Sequence, residues 1–214
     1  MKSSRNTQSS VIFQHVHKCA GTSVWKALRN KPGFVCCIAR PGEFNHGVSR
    51  DRIPDATWES AYKFSFVRNP YDRVFSAYKM FCQPHAWRKK PWQKVFPSFL
   101  DFTRFLAHVD VKSHLVSGEI KTDVYVHMID NIIHHCSSYT NPKYALNEMD
   151  DVFRFENLEL DFYKAMHNVG ISDVRLPHKN KSFEASYRNH YCKESRDIVS
   201  RVYAEDLLNY GYAY

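Results

Sequence analysis

A chain of 214 residues, 43% of them hydrophobic, has enough apolar side chains for a packed core, which excludes wholesale disorder. Thirty Lys and Arg against 22 Asp and Glu leave a formal charge of +8, and twelve His add to it below a pH of about 6.5. That balance favours an anionic ligand, substrate or surface. Six Cys are too sparse for a disulfide scaffold in a chain this long, and no C-x-x-C pair of a zinc ribbon occurs among them. No apolar run reaches the ~18 residues of a membrane span and no signal-peptide core is present. The sequence as it stands therefore reads as cytoplasmic; a Golgi-lumen location would require an anchor upstream of it.

The polar start, residues 1–9, is expected to be flexible. Ser10–Val16 is β-branched and aromatic and predicts a buried strand. A turn, His17–Gly21, leads into a helix over Thr22–Arg29, and the apolar run Phe34–Ala39 predicts a second strand. Residues 40–57, rich in Pro, Gly, Asn and Asp, read as loop with a short helix. Tyr62–Arg68 predicts a strand that stops at Asn69-Pro70, where proline after an Asn cap starts a helix. Along that helix Val74, Phe75, Tyr78, Phe81 and Cys82 form an apolar stripe. Residues 83–97 are basic and aromatic and suit an exposed loop, and 98–135 predict two helical pieces. A strand over Val152–Phe155, a helix over Leu158–Asn168, a polar loop over Pro177–Ser186 and a closing helix over Tyr191–Asn209 complete the chain. No repeat or linker divides it, so one domain over 1–214 is expected. Strands alternating with helices predict an α/β fold, a P-loop-like three-layer sandwich whose central, mainly parallel sheet is flanked by helices.

Two motifs carry chemistry. In the first, VIFQHVHKCAGTSVWKAL, a strand ends, a short Gly-containing turn follows, and a helix begins at Thr22-Ser23. The free N–H groups of a helix start, its positive dipole end and the nearby Lys18 suit an anionic oxyacid group. It is not a Walker A loop, because G-x-x-x-x-G-K-[ST] is absent and Lys18 precedes Gly21. Taken alone, the motif reads equally well as a strand-to-helix turn with a solvated lysine. In the second, FSFVRNPYDRVFSAY, Arg68 stands where a strand ends and can grip a phosphate at the sheet's carboxyl edge. Ser76 lies about 160° from the centre of the helix's apolar stripe, at ~100° per residue, and so faces away from the core. The alternatives are a surface ion pair of Arg68 with Asp72 and a helix-surface serine at Ser76; the two residues together at this spacing favour function.

The sequence resembles the PAPS-dependent sulfotransferases, most closely the carbohydrate branch that includes the heparan 2-O and chondroitin types. His15–Ser23 is similar to that family's 5′-phosphosulfate loop, and Arg68 with Ser76, joined by Asn-Pro-Tyr-Asp-Arg, to its 3′-phosphate motif. Arg154–Leu158, His178-x-Asn180-x-Ser182, Tyr203-x-x-Asp206 and Tyr210-Gly211-Tyr212 follow the family order, so the likeness covers nearly the whole chain. His17 stands where the family usually has proline, and Val126–His135 lacks the family's central Pro-Gln.

The resemblance implies 3′-phosphoadenosine 5′-phosphosulfate (PAPS) as co-substrate. Loop residues Cys19, Ala20, Gly21, Thr22 and Ser23 would hold the 5′-phosphate, and Arg68 and Ser76 the 3′-phosphate. Ser182, on a loop that closes over the cofactor in the family, would join them. Lys18 would bind there too and neutralise charge on the bridging oxygen as the S–O bond breaks. The sulfuryl group carries one negative charge, so no metal is required. The acceptor is a hydroxyl, on a carbohydrate and with room for an anionic one, and not a nucleic acid. His46 is the candidate general base, because the carbohydrate branch places a catalytic His between the two motifs; Glu43 is the runner-up, since other branches use glutamate. His134-His135-Cys136 lacks a second ligand pair and reads as packing or surface. Two other functions fit less well: a P-loop small-molecule kinase, which lacks its Walker lysine here, and a non-catalytic polyanion-binding module using the +8 charge.

Overall fold

The computed structural model describes residues 10–37, 47–82, 96–108, 146–177 and 186–214. In chain order the elements are β1 (Val11–Gln14), α1 (Gly21–Leu28), β2 (Phe34–Cys37), α2 (Asp55–Ser60), β3 (Tyr62–Val67), α3 (Pro70–Cys82), α4 (Phe99–His108), β4 (Asp151–Arg154), α5 (Leu158–Asn168), α6 (Lys193–Val202) and α7 (Ala204–Asn209). They fall into two compact units, Met1–Val67 with Tyr139–Lys181, and Arg68–Ser138 with Ser182–Tyr214.

The first unit holds a four-stranded sheet in the order β2-β1-β3-β4, with every pairing parallel. This is the α/β architecture that the alternating pattern predicts. The central strands β1 and β3 are buried on both faces, as inner strands of a parallel sheet are, while the edge strands β2 and β4 are partly exposed. On one face, Phe13 pairs in register with Phe64 and Phe66 with Phe153, and the rings form a continuous ladder with centroids 5.2–6.5 Å apart. On the other, Ile12 and Cys37 pack with Ile53, Trp58 and Ala61. Lys63 also lies on that second face and is buried. Its ammonium donates to the Trp58 and Ala61 carbonyls at 3.1 and 3.0 Å and approaches Asp150 at 3.7 Å, so the charge is satisfied where it is desolvated. Burial pushes the Cys37 thiol up to about 12 and raises the Cys36 thiol further.

The strand order reverses between β1 and β3: the chain leaves β1 toward β2 on one side, then crosses back to β3 on the other. In open parallel sheets this switch point, at the carboxyl ends of the strands, is where ligands bind.

The second unit packs α3, α4 and α6 around Tyr71, Val74, Phe75, Phe99, Phe102, Leu106, Val199 and Tyr203. Of the stripe predicted on α3, Val74, Phe75 and Cys82 are buried and Tyr78 packs against them half-buried, with Tyr71 joining the same core.

Several boundaries differ from expectation. The closing helix is not continuous. It begins after Cys192, where the Cys192 thiol and the Ser195 hydroxyl form a reciprocal cap, and it breaks at Tyr203, whose backbone (φ −111°, ψ 29°) is not helical. Tyr203 is fully buried, so its packing sets the break against the local helix pattern. The last strand runs over Asp151–Arg154, one residue early, because Phe155 already begins a 3₁₀ turn. Helix α1 starts one residue early, at Gly21, and ends at Leu28. Within 40–57 the described residues hold a 3₁₀ turn over Arg50–Arg52 and the start of α2, Asp55–Ser60, which runs three residues past the expected loop. Of the helices expected over 98–135, α4 is the first; the second lies outside the described residues, as do residues 1–9, Ile38, Ala39, the basic loop about Trp87–Lys94 and His134–Cys136. Among the described residues no helix is long and apolar enough to cross a membrane.

Candidate functional site

The carboxyl edge of β1 is clamped before its loop begins. The Ser65 hydroxyl on β3 donates to the Gln14 carbonyl at 2.8 Å. On the β2 side, the Gln14 side-chain amide and the His15 N–H both donate to the Cys37 carbonyl, at 3.4 and 2.8 Å. Gln14 and Ser65 are buried polar residues, and each has its partner. A loop leaving so fixed an edge starts from one position.

Within that loop Lys18 and Ala20 both adopt positive φ, 67° and 64°. Left-handed backbone costs an L-residue with a Cβ roughly 1–2 kcal/mol, so holding two of them only two residues apart requires support from the surroundings. The support is visible at Cys19 between them: its side chain is fully buried, its N–H bonds the Val16 carbonyl at 3.4 Å, and its thiol the His17 carbonyl at 3.6 Å. Backbone that passes in and out of the left-handed region turns successive N–H groups toward a common point and makes an anion-binding hollow.

Ala20 is also the N-cap of α1. It has no side chain with which to cap, and the Ser23 and Val24 amides take its carbonyl at 2.9 and 3.2 Å. The Gly21 and Thr22 amides open the helix, with no earlier turn inside it to accept them. No acidic residue occupies the first turn, so nothing on the helix itself opposes an anion at its positive end. Of the proposed loop ligands, Thr22 is exposed, Lys18 and Ala20 are half-buried, and Gly21, Cys19 and Ser23 are buried.

Gly21 has a steric reason that the motif alone does not reveal. A Cβ added there would overlap the His15 imidazole, which is itself buried between Phe13 and His17. The glycine is required by the close approach of a ring, and its own φ is not in the left-handed region.

The second motif lies in the other unit. Val67 ends β3, and the chain enters that unit at Arg68. The pairing of Arg68 with Asp72 weighed from the sequence is present: Nε and Nη2 each meet the same carboxylate oxygen at 2.8 Å. It is not a surface pair, since the two side chains are only 11% and 25% exposed. A guanidinium gripped through two nitrogens is oriented, and orientation is what bidentate anion recognition needs. Asn69 accepts the Tyr71 N–H on its side-chain oxygen at 3.1 Å and so caps the start of α3. Ser76 is half-buried, two turns along α3 from Arg68.

The strands that flank the switch point, β1 and β3, are thus the two whose carboxyl ends lead to the Lys18 loop and to Arg68. In both motifs a strand, a short connection and a helix follow one another, the order expected from the sequence. His46, Glu43 and Ser182 lie outside the described residues. Sequence reasoning missed His15 as the neighbour that dictates Gly21, and Asn69 as more than a helix signal; the buried-strand pattern ending in an imidazole was the available sign for the first.

A profile of the sulfotransferase family matches residues 4–213, a span that takes in both motifs and both units. No curated protein and no solved structure gives a significant match to the chain. With the parallel sheet, its switch point and the strand–turn–helix arrangement in place, the match over nearly the full length is decisive: the chain belongs to the sulfotransferase family.

Proposed function

We propose that this sulfotransferase takes its sulfuryl group from PAPS and delivers it to a hydroxyl of a carbohydrate, working as a single domain over residues 1–214. The observation that carries the reading is the left-handed pair Lys18 and Ala20 set before an uncapped helix start at the carboxyl edge of β1. A strained, well-supported hollow of amides with a lysine at its rim suits a phosphate ester carrying a further charged group. When bound, PAPS supplies an activated sulfuryl group on a phosphate leaving group.

The chain's own residues would divide the work. The loop Cys19–Ser23 holds the 5′-phosphate, through the amides of Ala20, Gly21 and Thr22 and the hydroxyls of Thr22 and Ser23, because the Cys19 and Ser23 amides are taken by the Val16 and Ala20 carbonyls. Lys18 sets its ammonium against the bridging oxygen, where negative charge grows as the S–O bond breaks. Arg68, oriented by Asp72, and Ser76 bind the 3′-phosphate, and Ser182 adds a hydroxyl. His46 accepts the proton of the acceptor hydroxyl, with Glu43 as the alternative base. A singly charged sulfuryl needs no divalent clamp. The net charge of +8 suits an acceptor that is itself anionic, which favours an acidic glycan over a neutral alcohol.

The decisive experiment has two arms. Thermal unfolding with 3′,5′-diphosphoadenosine (PAP) at a hundred times its dissociation constant should show about 2.7 kcal/mol of stabilisation, ATP much less, and Arg68→Ala should weaken PAP binding by roughly 2–4 kcal/mol. Transfer of labelled sulfate from PAPS to a panel of acidic glycans, neutral glycans and simple alcohols then reads the acceptor class. Absence of any PAP stabilisation refutes the donor assignment, and transfer to alcohols alone refutes the carbohydrate one. His46→Gln, which keeps polarity but cannot act as a base, should abolish the rise in rate between pH about 6 and 7.5; an intact rise moves the role to Glu43.

A further inference from the structure

We infer that the last residues of the sequence, Gly211–Tyr214, act as a latch that sets the orientation of Arg68, and that Asn69 is the positioning residue through which they act. The inference rests on the reading of Arg68 as the 3′-phosphate ligand.

The latch is a chain of specific contacts, all within the second unit. The Asn69 side chain works in two directions at once: its oxygen accepts the Tyr71 N–H at 3.1 Å, and its nitrogen donates to the Ala213 carbonyl at 2.9 Å. The tail reaches that point because α7 is stopped by Gly211 at φ 60°, after which the Tyr212 N–H returns to the Leu207 carbonyl at 2.9 Å. Tyr214 is then held on three sides. Its hydroxyl donates to the Arg188 carbonyl at 3.0 Å, its ring lies 5.0 and 5.5 Å from the Arg196 and Arg188 guanidinium carbons, and it meets the Tyr71 ring edge-on at 5.0 Å. Tyr71 is fixed from its other side as well: the Tyr191 hydroxyl donates to its carbonyl at 2.8 Å, and its own hydroxyl shares a hydrogen with Ser200 at 2.5 Å.

These contacts converge on residues 69 and 71, either side of the proline that starts α3 and within one turn of Asp72, which grips Arg68. A helix start pinned by its own first residues does not need a distant segment to define it; this one has both a cap and a tether. Guanidinium recognition of a phosphate is directional, so a small rotation of the Arg68–Asp72 turn loses affinity without breaking the fold. Side chains that orient metal ligands from behind commonly affect affinity by about 10–100-fold, and the lower end of that range is the loss expected for a guanidinium oriented in the same way.

The test uses Asn69→Ser, which keeps a capping oxygen but cannot reach Ala213, and Tyr214→Phe, which removes only the hydroxyl bond to Arg188. The full chain is titrated with PAP and with adenosine 5′-phosphate, which lacks the 3′-phosphate, and melting is followed in parallel. The latch requires Asn69→Ser to lose about tenfold in PAP affinity, with adenosine 5′-phosphate unchanged and the loss absent when Arg68 is already Ala. Tyr214→Phe should show a smaller loss of the same kind, and it carries the test alone if Asn69→Ser does not fold. Unchanged PAP affinity in both variants, equal losses for the two nucleotides, or a loss that persists in the Arg68→Ala background overturns the latch. If the wild-type chain itself does not prefer PAP to adenosine 5′-phosphate, the 3′-phosphate reading fails first and the latch with it.

Discussion

Gly21→Ala puts one methyl group into a place that a buried ring already fills. The added Cβ would overlap the His15 imidazole, and that ring has little freedom to retreat. It is buried, lies 6.0 Å from the Phe13 ring and 5.4 Å from the His17 ring, and its backbone is tied to the Cys37 carbonyl at 2.8 Å. Overpacking of this kind costs about 1–3 kcal/mol, and tight surroundings place this site at the upper end. Alanine is the better helix former by up to about 1 kcal/mol, which offsets part of the loss. A net destabilisation of about 2 kcal/mol remains, which lowers the melting temperature by about 4–8 °C in a chain of this size. Circular dichroism melts and urea titrations of the wild type, Gly21→Ala, His15→Ala and the double variant measure it as a cycle. In the His15→Ala background the clash is gone, so Gly21→Ala should there be neutral or stabilising. An equal effect of Gly21→Ala in both backgrounds would refute the claim that the His15 ring dictates the glycine.

Three further outcomes follow from the same loop and from the cysteines. Ala20→Gly removes the left-handed penalty at φ 64° and should raise stability by up to about 1 kcal/mol after glycine's larger entropy loss; a fall in melting temperature would show that the loop's strain lies elsewhere. Lys18→Ala leaves a Cβ at φ 67° and so barely alters the backbone cost, but it should lower turnover with PAPS far more than it lowers PAP affinity; equal losses would make Lys18 a ground-state ligand. Cys192 is exposed, and hydrogen bonds from Ser195 at the start of α6 hold its thiol below the usual range, whereas Cys19, Cys36, Cys37 and Cys82 are buried. Iodoacetamide near pH 7.5 followed by peptide mass mapping should therefore label Cys192 ahead of those four, and earlier labelling of any of them would contradict the burial.

The sequence by itself determined the elements whose causes are local. The β-branched and aromatic runs from Val11, Tyr62 and Val152 read as strands from their own residues, Asn69-Pro70 starts α3 wherever the chain is placed, and the spacing of Val74, Phe75 and Tyr78 names its buried face. The two motifs proposed to hold the donor were legible for the same reason, since a strand, a short turn and a helix start are contiguous in the chain. What only the tertiary structure decided depends on residues far apart in sequence. That the two motifs follow neighbouring strands is a fact of the order β2-β1-β3-β4, set by pairing between segments some fifty residues apart, such as Gln14 with Ser65. The left-handed backbone at Lys18 and Ala20 belongs to residues that avoid it when alone, and it exists because buried Cys19 and the clamped edge of β1 hold it there. The break at Tyr203 is of the same kind: ten residues of unbroken helical pattern yield to one fully buried side chain, because burial of a large aromatic outweighs a few tenths of a kcal/mol of propensity per residue.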